Sequence, residues 1–204
     1  MRGSIIIVLF FCSGLGFGLS GFSFNRFSDT DPSVYALYLL MFLVGISAGA
    51  DKKVWKITGR NNIKILIIPA FVITGTLSGC ALCSLFLTEM SLADSLAVGS
   101  GFGYYSLSSI IISKFRNETL GVIALIANIS REILTLLFTP LLVRFFGRFA
   151  PILSGGATSM DTTLPVIIKY SGKDCAIPAI FNGIILTLLV PFIIGVIYEI
   201  AEWF

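Results

Sequence analysis

Long apolar runs dominate this chain and constrain its fold more than any other feature. Five clear runs cover residues 5–20, 34–50, 63–87, 119–143 and 176–198. A helical run of about 17 to 25 apolar residues can cross a hydrocarbon core roughly 30 Å thick. Charged residues make up 12% of the chain, whereas an average soluble domain has about a quarter. The sequence therefore predicts an all-α integral membrane protein.

Two further apolar segments, residues 96–113 and 151–168, are interrupted by Gly, Ser, Thr or Pro. Together the runs predict a single transmembrane domain, residues 1–204, with about seven segments, two of them discontinuous or re-entrant. A re-entrant second interruption would leave six crossings. A signal peptide with Arg2 as its basic region is the alternative for residues 5–20. We predict a membrane helix because Phe11 before Cys12 is not a small-residue cleavage site.

Lys and Arg residues predict the orientation, since cytoplasmic loops hold the excess of positive charge. Alternating loops give an inner set of Arg2, Lys52, Lys53, Lys56, Arg60, Lys64, Lys114, Arg116, Lys169 and Lys173. The outer set is Arg26, Arg144 and Arg148, of which the last two run against the bias. We therefore expect a multi-pass membrane protein with a cytoplasmic N-terminus and Glu202 outside. The basic segment at residues 51–62 belongs to this signal, so no nucleic-acid partner is expected.

The stretch NISREILTLL, residues 128–137, places Arg131 and Glu132 at the centre of an apolar run. A charge at the centre of a membrane helix costs about 2.5–3.5 kcal/mol. Helical spacing puts five polar residues on one arc of roughly 100°: Asn128, Arg131, Glu132, Thr135 and Thr139. Adjacent helical residues do not face each other, so each charge is predicted to have another partner. The pair serves either to fasten helices together or to bind and couple a solute.

The interrupted segments GSGFGYYSLSS (99–109) and SGGATSMDTTLP (154–165) suggest where that solute binds. Broken backbone is tolerated in a bilayer only beside protein or a water-filled cavity, and paired discontinuous segments indicate a substrate site near the midplane. For Gly99 and Gly103, close helix packing is the alternative. Asp161 is predicted to cap a helix that begins near Thr162. The predicted substrate-binding residues are Ser100, Tyr105, Ser106, Asn128, Arg131, Thr158, Ser159, Asp161 and Thr162.

This site would suit a zwitterionic or cationic solute. Helix N-termini and Arg131 attract a carboxylate, while Glu132 or Asp161 holds an ammonium group. Enzymatic chemistry is not expected: the chain has no histidine to activate a serine and one aspartate at membrane depth, where an aspartyl protease needs two. Cys80 and Cys83 lack the further ligands of a zinc site. We therefore expect no catalytic residue, cofactor or metal.

Five motifs are similar to those of the LysO-type lysine exporter family: GSGFGYYSLSS, NISRE, GGATSMDTTLP, IPAIFNGIILTLLVPF and LYLLMFLVGISAG. The resemblance runs from about Leu37 to Phe192. It implies a secondary transporter of the inner membrane that exports L-lysine and toxic lysine analogues in exchange for protons. Glu132 and Asp161 are the positions that it implies for proton coupling. Without histidine, acidic side chains are the ones expected to exchange the proton.

Longer members of that family have additional N-terminal helices with a further membrane-buried acid. The resemblance therefore implies that a small membrane subunit, or a second copy of the chain, supplies this part. The alternative function is a non-transporting subunit or scaffold of a larger transporter complex, whose charges only clamp a partner. A passive channel is a third alternative.

Overall fold

The computed structural model describes residues 63–87 and 89–203, together with isolated helical positions nearer the N-terminus such as Ser13 and Tyr35. The chain divides into two compact units, and of the first, Met1–Leu43, the structure describes only such isolated positions. The described region of residues 63–87 and 89–203 lies within the unit Val44–Phe204. Its helices are α1 (Ile63–Ser84), α2 (Leu92–Gly99), α3 (Tyr105–Phe115), α4 (Glu118–Phe146), α5 (Ala150–Gly155), α6 (Leu164–Ser171) and α7 (Ala176–Ala201). Two 3-10 turns lie at Gly156–Met160 and Lys173–Cys175. The predicted segments 5–20 and 34–50 thus lie almost wholly outside the described residues.

Three helices of this region are long and apolar enough to cross a membrane. The stretches are Ile67–Ser84 in α1, Glu118–Phe146, which is α4, and Lys173–Ala201, which contains α7. They coincide with three of the apolar runs found in the sequence. The predicted class, a helical membrane protein with two interrupted segments, is confirmed. The number of crossings in the whole chain stays a prediction.

The first interrupted segment folds back on itself. Helix α2 ends at Gly99 and α3 begins at Tyr105, and the backbone turns at Phe102 (φ 47°) and Gly103 (φ 99°). At the other end of the two helices, Arg116 Nε donates to Asp94 Oδ1 at 3.0 Å. Residues 92–115 therefore form a hairpin, the first hairpin, whose ends lie together and whose tip is residues 100–104.

The second interrupted segment is also a hairpin. Helix α5 passes into the 3-10 turn at Gly156 (φ 62°), and α6 returns the chain. The ends of this second hairpin, residues 150–171, also lie close together, since the thiol of Cys175 is 3.9 Å from the carbonyl oxygen of Arg148. Ile152 and Ile167 pack together inside the hairpin against the start of α7.

The two tips meet each other. The amide of Ala157 donates to the carbonyl oxygen of Phe102 at 2.8 Å. A side chain on Gly156 would collide with that same carbonyl. On Gly103, a Cβ would lie 3.0 Å from the carbonyl oxygen of Gly155. Glycine is therefore required where the tips touch, both for the positive φ and for the close approach of the two backbones.

The hairpins change which charges share a side. Arg116 lies 5.4 Å above the ring of Tyr198, near the end of α7, so Arg116 and Glu202 share one end of the bundle, the Arg116 end. Arg148 and Cys175 define the opposite, Arg148 end. The predicted alternation of loops had separated Arg116 from Glu202 and Arg148 from Lys173. This grouping is corrected, because a segment that turns back at its tip returns to the end where it began.

Candidate functional site

A recess with polar and charged side chains in its lining opens where the two tips meet α4 and α7. Its empty volume is about 360 Å³ when the open solvent at its mouth is counted. Its lining comes from four parts of the fold: Gly103, Tyr104, Tyr105 and Ser106 of the first hairpin, Ala157, Thr158, Met160, Asp161 and Thr162 of the second, Glu132 of α4 and Thr187 of α7. This inter-tip recess brings together both predicted coupling acids with four further predicted binding residues, Tyr105, Ser106, Thr158 and Thr162.

Glu132 contributes a carboxylate to the recess from near the middle of α4. Its side chain is half-buried. Within the described part of the chain, it makes no hydrogen bond and no ion pair. An anionic group held at membrane depth without a protein partner can bind a cation or a proton that enters the recess.

Asp161 supplies the second carboxylate and is exposed. Its Oδ1 accepts from the amide of Thr162 at 2.6 Å. The predicted cap is wrong, because α6 begins at Leu164, with Thr163 at the N-cap position. Thr163 is held there by its buried hydroxyl, which donates to the carbonyl oxygen of Thr158 at 2.9 Å. Asp161 is thus left at the mouth of the recess, outside the helix.

The recess also offers donors to an anionic group. Helix α3 begins at Tyr105, and its N-cap residue, Tyr104, makes no side-chain capping bond. The first amides of a helix have no partner within the helix, and the positive end of the helix dipole attracts anions. The amide of Tyr105 donates to the carbonyl oxygen of Gly103 at 3.0 Å, so Ser106, which also lines the recess, is the first position of α3 whose amide is open to a solute held by the carboxylates.

Arg131 points away from this recess. Its Nε donates to the carbonyl oxygen of Ser154 at 2.8 Å and its Nη2 to that of Leu153 at 3.2 Å. Its Nη1 donates to the hydroxyl of Thr76 at 3.2 Å. The guanidinium therefore satisfies carbonyls in the last turn of α5 and ties that helix to α1. Arg131 lines a second cavity, with Thr76 and Cys80. A positioning role thus replaces the predicted contact with a carboxylate beside Glu132.

Asn128 also holds the first tip from behind. Its Oδ1 accepts from the amide of Gly103 at 2.7 Å, and its Nδ2 donates to the carbonyls of Val98 and Ala124 at 3.0 and 2.9 Å. Ser100, fully buried, donates its hydroxyl to Leu96 at 2.7 Å. Neither residue lines the inter-tip recess. Their geometry supports positioning of the tip.

Ser159 of the second tip, and Thr135 and Thr139 of the polar stripe on α4, also make contacts that hold the fold in place. The hydroxyl of Ser159 donates to the carbonyls of Gly156 and Ala179 at 2.7 and 2.8 Å. Thr135 contacts the hydroxyl of Ser154 at 2.7 Å. Thr135 and Thr139 are both fully buried. The stripe is therefore mainly a packed face that fixes the second hairpin on α4, with Glu132 at its open edge.

Sequence reasoning missed two polar residues of α7. Asn182, fully buried, donates to the carbonyl oxygen of Gly156 at 2.9 Å and to the hydroxyl of Ser159 at 3.1 Å, so it fastens the second tip to α7. Thr187 lines the recess. Both lie in the apolar run 176–198, where an asparagine is costly against lipid. That cost was the signal in the sequence that could have identified Asn182. A single threonine in an apolar run costs little, so the sequence held no comparable signal for Thr187.

Helices of membrane length, two hairpins that meet at their tips and a recess between them are typical of membrane transport proteins. Residues 8–198 match the family described as "Lysine exporter LysO", and the chain belongs to this family. The resemblance carried by its motifs is confirmed.

Two relatives support this assignment. The chain is 35% identical over 182 residues to the "Lysine exporter LysO" of Escherichia coli (strain K12), covering 89% of this chain and 60% of that protein. It is 33% identical over 162 residues to the "Putative lysine exporter" of Haemophilus influenzae (strain ATCC 51907 / DSM 11121 / KW20 / Rd), covering 79% of this chain and 82% of that protein. The chain thus spans about 60% of the length of the first relative. No solved structure matches it.

Proposed function

We propose that this chain exports L-lysine, and toxic analogues of lysine, across the bacterial inner membrane in exchange for protons. The observation that carries the proposal is the carboxylate of Glu132. It lies half-buried near the middle of a membrane-length helix, with no protein partner among the described residues, and lines a recess with Asp161 between two helix breaks. The names of the two relatives support lysine as the solute.

Lysine carries one carboxylate and two ammonium groups, and the recess has complementary groups. Glu132 and Asp161 bind an ammonium group by charge-assisted hydrogen bonds. The substrate carboxylate binds at the start of α3, where Tyr105 and Ser106 line the recess. Thr158 and Thr162, from the second tip, complete the polar contacts. Arg131, Asn128, Ser100 and Ser159 act by holding the tips in place.

Proton exchange is assigned to the same two acids. The chain contains no histidine, and a carboxylate that holds either a cation or a proton, but not both, links the two fluxes. Lysine leaves when a proton takes its place on Glu132, and the proton is released on the other side. Collapse of the proton gradient is therefore expected to stop export against a lysine gradient. Export that persists after collapse contradicts the coupling.

The orientation is also part of the proposal. The Arg148 end carries Arg144, Arg148, Lys169 and Lys173 with one acid, Asp174. The Arg116 end carries the acids Glu89, Asp94, Glu118, Glu199 and Glu202 beside Lys114 and Arg116. Cytoplasmic loops hold the excess of Lys and Arg. The Arg148 end is therefore cytoplasmic, which removes the disagreement that Arg144 and Arg148 posed. With this end in the cytoplasm, Glu202 would lie outside; the cytoplasmic N-terminus stays a prediction.

The experiment that tests the function is efflux of radiolabelled lysine from vesicles that contain the purified chain. It is run with the chain alone, with a candidate N-terminal membrane subunit and at protein densities that favour a second copy. Efflux that depends on a proton gradient supports an exporter. Absence of lysine flux under all three conditions contradicts it and favours the scaffold.

A further inference from the structure

Thr187 on α7 has a hydroxyl that the fold does not satisfy. The side chain lines the inter-tip recess and the residue is 6% exposed. Its Oγ1 is buried and has no hydrogen-bond partner. Leaving a buried polar group without a partner costs about 1–3 kcal/mol, so such groups are uncommon in native proteins.

The hydroxyls of two buried threonines in α4 do find partners, whereas those of Ser171 and Tyr198, like that of Thr187, do not in the part of the chain that the structure describes. A helical threonine ordinarily bonds to the carbonyl four residues earlier. Thr135 does so to Arg131 at 2.9 Å and Thr139 to Thr135 at 2.6 Å. Thr187 lies in a helix as well, yet it makes no such bond. Its hydroxyl therefore has no competing bond among the described residues; because the oxygen itself is covered, a molecule in the recess reaches it only with a small turn of the side chain.

We propose that Thr187 is the third acceptor of a subsite for a primary alkylammonium group, together with Glu132 and Asp161. The inference rests on the proposed function, and it names the ammonium group as the part of the solute that this subsite binds. An ammonium group has three N–H donors and no acceptor. The recess supplies three acceptors from three elements: a carboxylate from α4, a carboxylate from the second tip and a hydroxyl from α7.

This arrangement distinguishes ammonium groups by their number of N–H donors. A lysine side chain uses all three acceptors, whereas its trimethylated form has charge but no donor to give. The planar guanidinium of arginine presents its donors as a flat fork, which does not match acceptors that surround one nitrogen. The subsite thus selects for donors as well as charge.

The test measures binding of lysine and of Nε-trimethyl-lysine to the full chain in lipid nanodiscs. Thr187→Val removes the hydroxyl at nearly constant size and Thr187→Ser restores it. The matched control is Ser171→Ala, which removes another buried hydroxyl without a partner that does not line the recess. We expect Thr187→Val to weaken lysine binding roughly 10- to 100-fold, since a hydrogen bond to a charged group is lost. Thr187→Ser and Ser171→Ala are expected to bind lysine as the unaltered chain does.

The trimethylated ligand separates this role from a structural one. The unaltered chain is expected to bind it more weakly than lysine, and Thr187→Val is not expected to weaken it further. Equal loss of both ligands in Thr187→Val, or no loss of lysine binding, overturns the inference. If Thr187→Val does not fold, equal affinity of the unaltered chain for the two ligands overturns it. Failure of the unaltered chain to bind lysine alone, with the candidate N-terminal subunit and at densities that favour a second copy contradicts the proposed function itself.

Discussion

Arg131 and Glu132 are neighbours in sequence but belong to different parts of the structure. Successive helical residues point about 100° apart, so one side chain reaches α1 and α5 while the other lines the recess. Arg131 has three hydrogen bonds to neutral oxygens. Glu132 has none among the described residues. The residue that the fold leaves unsatisfied is the better candidate for exchange of solute and proton.

Glu132→Gln is expected to abolish lysine export while the protein still inserts, because the amide keeps the size of the side chain but can neither carry a negative charge nor exchange a proton. The measurement is efflux of labelled lysine from cells, normalised to the amount of protein in the membrane. Glu118→Gln is the matched control, since Glu118 begins the same helix far from the recess. Near-normal export by Glu132→Gln would contradict the proposal.

For Asn128 we expect a change in stability, because its side-chain amide already makes hydrogen bonds within the fold. Asn128→Ala leaves the buried amide of Gly103 without its acceptor, so the free energy of unfolding in detergent should fall by about 1–3 kcal/mol. Thr74→Val serves as control, since Thr74 is exposed and bonds only within its own helix, and its change should stay within about 0.5 kcal/mol. An unchanged stability of Asn128→Ala would show that the tip does not need this bond.

At the scale of elements, the two hairpin tips depend on glycine at their contact. Gly156 has φ 62° and faces the carbonyl oxygen of Phe102. Gly172 has φ 98° but open space around its missing side chain. Both positions cost an alanine about 1–2 kcal/mol in backbone strain, and Gly156 adds a steric clash worth about 1–3 kcal/mol. The comparison isolates the contribution of the tip contact.

Gly156→Ala is therefore expected to lower the free energy of unfolding more than Gly172→Ala, by about 1–3 kcal/mol. It should also reduce lysine efflux, because the tips that line the recess are forced apart. Chemical unfolding in detergent and vesicle efflux measure the two effects. Equal destabilisation by both substitutions would mean that the tips can separate without cost.

The sequence predicted these elements unevenly, for physical reasons. Apolar length alone identified α1, α4 and α7, since hydrophobic thickness sets helix length. Gly and Pro identified both interruptions. Whether each interrupted segment crosses or re-enters was left open, because the return depends on contacts between distant residues, such as Arg116 with Asp94 and with Tyr198. Thr187 was missed for the same reason: only the packed structure reveals that its hydroxyl has no partner.

At the scale of the whole molecule, the hairpins decide how charge is divided across the membrane. A segment that crosses exchanges sides, whereas a hairpin does not. Among the described residues, most basic residues then lie at the Arg148 end and most acidic residues at the Arg116 end. This division follows the positive-inside rule and leaves the recess between the tips, away from either end.

Labelling with a membrane-impermeant thiol reagent tests this arrangement. In a background in which Cys12, Cys80, Cys83 and Cys175 are replaced, Glu118→Cys and Glu202→Cys should both react when the reagent is added outside intact cells. Lys173→Cys should react only after the membrane is permeabilised, because it lies at the end of the bundle that holds Arg148. The alternating seven-crossing topology predicts instead that the first two cysteines react from opposite sides. That outcome would require the second hairpin to cross the membrane, which its closed ends at Arg148 and Cys175 do not permit.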